Sequence, residues 1–344
     1  MTPSCSAIDA PPQGGAASGS AEPDPRRPLG RTPRRQLHGV LLLDKPLGWT
    51  SNDALQKAKG LLRAEKGGHT GTLDPLATGL LPLCFGAATK FSQVSLDADK
   101  RYRATLHLGR RTTTGDLEGE TVAEHAVDCD RAAVEAACAR FTGRIAQTPP
   151  MHSALKHQGK ALYEYARAGV EVDRPARTVD IHAIAIIDWQ SPRLVIDVHC
   201  SKGTYIRTLA EDIGRQLGCG AHLAALRRTG AGLLDVTQAV TIEQLAALDE
   251  AARAGLLLPA DVLLQQWPAV RLPDDEAGRF LTGLRRRVTL ADAPAVRVYG
   301  AHPRAFLGAA HITGGELIPD RLLSPPEVRA QLGPQDHATE AHEA

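Results

Sequence analysis

Apolar and polar positions along the chain change period several times, and each change predicts an element. Residues 40–43, Val-Leu-Leu-Leu, form a short apolar run halted by Asp44-Lys45-Pro46, the pattern of a buried strand ending in a turn. Behind it Ala54, Leu55, Ala58, Leu61 and Leu62 recur at helical spacing, with Ser51 as the expected N-cap. Strict alternation follows: Tyr102, Ala104, Leu106 and Leu108 fall on one face and Arg101, Arg103, Thr105 and His107 on the other, which predicts a half-buried strand. Val134, Ala137, Cys138 and Phe141 mark the inward stripe of a helix over 130–141, and alternation returns at 179–185 and 194–200. Past a turn at Gly203, the stripe Ile206, Leu209, Ile213 and Leu217 predicts a helix over 205–217, and another is expected over 241–248.

Strands and helices alternate without a regular strand-helix-strand rhythm, and several strands are polar on one face. Both features favour an α+β class with a mixed, largely antiparallel sheet flanked by helices. Over 269–323 the chain shifts to short β-like runs, at 296–299 and 305–312, among many Gly and Pro residues, which predicts a small separate β domain. The expected organisation is a disordered Pro/Gly/Ser/Ala-rich tail over 1–36, a main domain over 37–265, the small β domain over 266–332 and a frayed polar end over 333–344.

The 344 residues carry 40 Lys and Arg against 39 Asp and Glu, a formal charge of +1, which excludes nucleic-acid binding through bulk positive charge. Local basic patches remain: Lys100 to Arg111, Lys202, Arg207, Arg227, Arg228 and Arg285 to Arg287 could track phosphates, although each taken singly reads as a solvated surface charge. Six cysteines without a Cys-x-x-Cys pair offer neither a zinc spacing nor a secreted disulfide framework, so no metal site and a reducing, cytoplasmic compartment are expected. No apolar run approaches the roughly 20 residues of a membrane span, and no heptad pattern suggests self-association, so a monomer without a membrane partner is expected.

The densest cluster of unusual residues is GGHTGTLDPLATGLLP, residues 67–82, a Gly-rich loop carrying His69 and Asp74. It lacks the Gly-Lys-Ser/Thr of a phosphate loop and the glycine spacing of a dinucleotide fingerprint, and the chain has no G-x-S-x-G elbow. Asp74 followed by Pro75 reads either as an N-cap or as a lone carboxylate serving as nucleophile or base, with no second carboxylate evident nearby. Tyr102 is a core ring or a pocket ring that stacks on a planar ligand. Arg207, in the first turn of a helix, pairs with Glu211 four residues on, or holds a carboxylate charged in a dry pocket. His69 and His222, taken alone, are ordinary satisfied histidines.

GHTGTLDPLATGLLPLCFGAATKFSQ closely resembles the TruB family of tRNA pseudouridine-55 synthases, and the likeness continues through GVLLLDKPLGWTSNDALQK, DKRYRATLHLGRRTTTGD, SALKHQGKALYEYAR and HCSKGTYIRTLAEDIGRQLGCGAHLAALRR. The resemblance implies the pseudouridine synthase fold with a C-terminal PUA-like RNA-binding domain. It implies isomerisation of a uridine in the T-arm stem-loop of tRNA, at position 55, without cofactor or guide RNA. By the same resemblance Asp74 is the catalytic aspartate, Arg207 its partner and Tyr102 the pocket tyrosine. His69 wedges the RNA loop apart, Tyr205 and Leu226 contact RNA, and Lys45 supports the pocket. His152 departs from the family, which usually has Tyr or Phe there. Two other classes of function remain in view at this level: an RNA-folding module whose loop merely caps a helix, and a guide-dependent synthase that needs partners.

Overall fold

A computed structural model describes residues 33–302 and 304–332; the tail expected over 1–32 and the frayed end expected over 333–344 lie outside the described residues. The strands, in chain order, are β1 (Gly39–Lys45), β2 (Gly67–His69), β3 (Ala77–Phe85), β4 (Lys100–Leu108), β5 (Arg110–Thr112), β6 (Thr121–Glu124), β7 (Gly143–Gln147), β8 (Lys156–His157), β9 (Lys160–Ala161), β10 (Arg177–Gln190), β11 (Arg193–Cys200), β12 (Ala221–Ala231) and β13 (Leu234–Asp235). A second set comprises β14 (Ala269–Leu272), β15 (Arg286–Arg287), β16 (Ala293–Gly300), β17 (Phe306–Thr313) and β18 (Glu316–Leu322). The α-helices are α1 (Ser51–Leu62), α2 (Ser92–Asp97), α3 (Arg131–Arg140), α4 (Leu162–Arg167), α5 (Ile206–Gln216), α6 (Ile242–Ala247), α7 (Glu250–Gly255), α8 (Asp274–Leu281) and α9 (Pro325–Arg329).

The main sheet runs β1-β3-β12-β4-β11-β10-β7, with β2 on β3 and β13 on β12, and only β3 and β12 lie parallel. It is the mixed, largely antiparallel sheet that the alternation pattern predicts. Its register brings Gly79 of β3, Arg228 of β12, Tyr102 of β4 and Val198 of β11 into one row. Gly79 is required there: at φ +97° a side chain is strained, and a Cβ would stand 2.3 Å from the Arg228 carbonyl oxygen. The apolar stripe of α5 packs with Val134, Ala137 and Cys138 of α3 over Ala104, Leu106, Ile196 and Leu223. A Cβ on Gly214 would lie 2.2 Å from the Ala221 nitrogen, so glycine lets α5 approach β12 closely.

Several local expectations are corrected. Thr50, not Ser51, caps α1: its hydroxyl accepts the Asp53 N–H at 3.1 Å while the Asp53 carboxylate takes the Thr50 N–H, a capping box. Ser51 is buried and its hydroxyl both accepts the Leu73 N–H at 2.8 Å and donates to the Leu73 carbonyl, so it tethers the segment that presents Asp74. No helix follows Asp74; its carbonyl accepts the Ala77 N–H at 3.0 Å in a turn that leads into β3, which removes the N-cap reading. The loop expected over 67–82 is shorter: 67–69 and 77–82 are strand, and only 70–76, which carry Asp74, lie between them. Order starts before residue 37: the Arg35 N–H donates to the Arg63 carbonyl at 2.8 Å and its guanidinium meets Glu250 at 2.7 Å.

The smaller sheet runs β14-β16-β17-β18-β15. It shares a hydrophobic core with the main sheet, in which Val40, Leu80 and Phe91 join Phe280, Val296, Val298 and Phe306, and the Phe91 and Phe306 rings stand 5.1 Å apart. Helix α8 was not expected in this Gly- and Pro-rich stretch; it is only two turns long, and its buried residues Ala277 and Phe280 anchor it.

Candidate active site

A cavity of about 390 Å³ opens where the turn before β3, the start of β4, the segment 153–155 and the N-terminus of α5 converge. Asp74, Tyr102, Tyr205, Arg207 and Leu226, drawn from distant parts of the sequence, all line it. Arg207 lies on the buried side of α5, its side chain 6% exposed, and its Nη2 stands 2.9 Å from the Asp74 carboxylate, which is 41% exposed. One oxygen-bearing group therefore faces the cavity while its counter-charge is hidden behind it. The same Nη2 donates to the His152 carbonyl at 2.6 Å and Nη1 to the Thr114 carbonyl at 3.3 Å. Arg207 thus pairs with Asp74, not with Glu211.

A second carboxylate, not expected from sequence, completes this pairing. Asp116 is buried, lies 3.4 Å from Arg207 Nη1, and accepts hydrogen bonds from the Thr114 hydroxyl at 2.5 Å and the Glu118 N–H at 3.1 Å. Its backbone bridges Leu223 of β12. Two carboxylates with Arg207 between them make the buried cation a shared one, so its position is fixed from both sides. The available signal was the run Thr112-Thr113-Thr114-Gly115-Asp116, whose hydroxyls and turn glycine suit a carboxylate held in a tight loop. His152, the departure from the family pattern, contributes only its carbonyl to this arrangement.

The floor of the cavity is cationic and dry. Arg228 is 1% exposed; its Nε donates to the Leu80 carbonyl at 2.6 Å and its Nη2 to the Gly71 carbonyl at 3.3 Å, and its charge bears on the Tyr102 hydroxyl. Burial raises the Tyr102 hydroxyl above its ordinary value, with the Arg228 charge opposing, so the ring stands as a neutral phenol along the wall. Lys100, also buried, spends its ammonium on the carbonyls of Ser95, Leu96 and Ala98 at the end of α2. Lys45, in contrast, does not line the cavity; it is fully buried behind it and donates to the carbonyls of Pro46 at 2.9 Å and Trp49 at 2.6 Å.

At the rim, Tyr205 precedes α5, its N–H held by the Gln147 side-chain oxygen at 3.0 Å and its ring covered by the Arg177 guanidinium at 4.8 Å. Leu226 pairs with both Ala77 and Ala104 and so stands between the Asp74 turn and the Tyr102 strand. His69 does not line the cavity; it is half-buried on β2, and burial, reinforced by the Arg228 charge, lowers its proton affinity, leaving a neutral ring.

The expected basic track is largely neutralised. Arg103 pairs with Asp197, Arg110 with Glu124, Lys202 with Asp97, Arg227 with Asp44, Arg285 with Glu316 and Arg286 with Glu276, while Lys100 and Arg228 are interior rather than surface charges. Alternation along a strand shows which face a cation takes, but not whether carbonyls or carboxylates wait for it there.

Buried lysines and thiols impose a distinctive pH dependence. Burial lowers Lys45 and Lys100 from 10.5 to about 8, with the negative charge of Asp74 opposing at Lys45; burial pushes Cys84 and Cys200 up to about 12 and Cys138 to about 11 from an ordinary 9.0. Between those lysine values the unfolded chain binds more protons than the native one, so stability rises with pH; above 9.0 the native thiols bind more, so stability falls. The urea midpoint is expected to peak at roughly pH 9, and Lys100→Met to move that peak down by about half a pH unit. A midpoint that falls steadily from pH 7.5 upward would contradict it.

Family models match three consecutive segments: TruB family pseudouridylate synthase (N terminal domain) over residues 59–206, tRNA pseudouridylate synthase B C-terminal domain over 207–265, and Pseudouridine synthase II TruB, C-terminal, over 268–323. The chain is 58% identical over 303 residues to tRNA pseudouridine synthase B of Cupriavidus pinatubonensis, covering 85% of this chain and 96% of the relative. It is 59% identical over 305 residues to the protein of that name from Cupriavidus metallidurans, with the same coverage of both chains. Among solved structures, a chain of a Cbf5-Nop10-Gar1 complex superposes with a TM-score of 0.66 at 24% identity over 85% of this chain and 87% of that one, a likeness of fold.

Proposed function

The chain belongs to the TruB family of pseudouridylate synthases, and from that premise we propose that it isomerises a tRNA uridine to pseudouridine, at position 55 in the T-arm loop, with Asp74 as the reacting carboxylate. The observation that carries the assignment of Asp74 is its pairing with buried Arg207 at 2.9 Å while its own side chain stays open to the cavity.

The reaction breaks the uracil N1–C1′ bond, turns the base, forms a C5–C1′ bond, moves a proton off C5 and leaves one on N1. Atoms and electrons balance within the substrate, so binding, orientation and one nucleophile or base suffice. A target base must first leave its stack, at a cost of a few kcal/mol, and enter a receptacle with aromatic and apolar walls. Tyr102 and Leu226 supply such walls. Tyr102, held as a neutral phenol by burial, serves as a stacking surface rather than as a phenolate base. Lys100, anchored on carbonyls, and Arg228 keep the floor rigid, which spares reorganisation during the reaction.

His69, outside the cavity and uncharged, suits the role of a wedge that stacks on an unpaired base, and Tyr205 with Arg177 offers a planar rim for RNA. The small β sheet, as a PUA-like domain, would add a second RNA-binding surface. Among the described residues no helix is long and apolar enough to cross a membrane. The proposal is of a cytoplasmic enzyme that acts on tRNA as a monomer and without a guide RNA. The test is incubation of the purified chain alone with an unmodified tRNA transcript, followed by carbodiimide labelling and mass spectrometry of the T-arm fragment. One stable adduct at position 55 is expected; no adduct, or one that needs added guide RNA or protein, would overturn the reading.

A further inference from the structure

Outside the cavity, on the face of the main sheet opposite Tyr102, Asp99, His182 and His199 converge. A β-bulge makes this possible: Ile181 pairs with Cys200 and Ala183 with His199, so His182 is the inserted residue and turns outward together with Ala183. Bulges re-aim side chains in this way, and here one brings two imidazoles of neighbouring strands to the same side. His182 Nε2 stands 3.0 Å and His199 Nε2 3.9 Å from the same Asp99 oxygen, and the rings are 4.7 Å apart, tilted by 54° rather than stacked. All three ligand atoms fall within 4.8 Å of one another.

We propose that Asp99, His182 and His199 form a binding site for a divalent transition-metal ion of the zinc class. The donor set is two borderline-soft nitrogens and one carboxylate oxygen, which suits zinc and its neighbours rather than calcium or magnesium. With metal–ligand bonds of about 2.0–2.2 Å, tetrahedral ligands stand roughly 3.3 Å apart, so the Asp99–His182 pair is already spaced, while His199 must close on Asp99 by about half an ångström and on His182, within 4.8 Å of it, by up to about 1.5 Å through side-chain rotation. The backbone is fixed where it matters: the Asp99 carbonyl accepts the Gly232 N–H at 2.8 Å. Side-chain exposures of 46%, 38% and 45% for Asp99, His182 and His199 leave the remaining coordination positions to water.

The cation that faces His199 across the sheet is turned away. Arg101 is the β4 partner of His199 in register, but its guanidinium lies over Gly230 and pairs with Asp235, on the β12 side, while His182 is on β10. A bound ion would therefore tie the start of β4 to the β10–β11 hairpin, one residue from Lys100 at the cavity floor.

The test is calorimetric titration of ZnCl2 into the chelator-stripped full chain, with Co2+ as a visible-absorption probe. One equivalent is expected to bind saturably, with the weak d–d bands of a nitrogen and oxygen site, and Asp99→Asn and His199→Gln should each weaken binding by at least about tenfold, or 1.4 kcal/mol. His182→Gln provides a third, independent variant, and unchanged metal-free melting of each confirms the fold. No saturable binding, affinity unmoved by the variants, or an intense thiolate charge-transfer band that places the ion on cysteine would each overturn the proposal. None of these outcomes bears on pseudouridine formation.

Discussion

Asp74→Asn is expected to lower pseudouridine formation by at least about a thousandfold, as loss of a reacting group does elsewhere, while tRNA affinity stays within roughly tenfold, or 1.4 kcal/mol. Asparagine keeps the shape but carries no charge and is neither nucleophile nor base. The rest of the site should persist, because Arg207 retains Asp116 and the carbonyls of Thr114 and His152. Single-turnover rates on tRNA, filter binding and a thermal melt separate the three quantities. Turnover near the parent rate would remove Asp74 from the chemistry; collapse of binding with turnover would recast the turn as a recognition element.

Arg228→Leu should cost the fold about 2–4 kcal/mol, since it strands one buried and one half-buried carbonyl at roughly 1–3 kcal/mol each, partly offset by relief of a buried charge. Against a total stability of about 5–15 kcal/mol that is a large share, and the melting temperature should drop by roughly 5 °C for a chain of this size. The loss should extend to activity, because Gly71, which lines the cavity, and Tyr102 both rest on this guanidinium. Differential scanning calorimetry decides the matter: a melt within about a degree of the parent would mean that water or a neighbouring donor replaces every bond.

Periodicity reveals elements whose one face meets a uniform environment. The β1 run, the alternation of β4 and the stripe of α5 each bury apolar residues against a core, and the structure places all three close to their expected bounds. Caps and short helices are less legible, since Thr50 and Ser51 carry the same chemistry and only the position of Leu73 decides which of them turns inward. Asp74, Tyr102 and Arg207 were legible because a motif carries them, whereas Asp116 was hidden in a polar loop.

Cations show the limit most clearly. Lys45, Lys100 and Arg228 look like surface charges in sequence, yet all three are interior, because carbonyl groups from the end of α2, the β1 turn and β3 are aimed at them.

By itself, then, the order of residues determined the α+β class, the strand and helix faces and the Gly-rich segment that bears Asp74, since these depend on spacing along the chain. Only the tertiary structure decided which charges are dry, which carboxylates share Arg207 and which two histidines a bulge brings together. Those outcomes depend on cross-strand register and on burial, and a charge changes its energetic meaning by several kcal/mol when water is replaced by fixed dipoles.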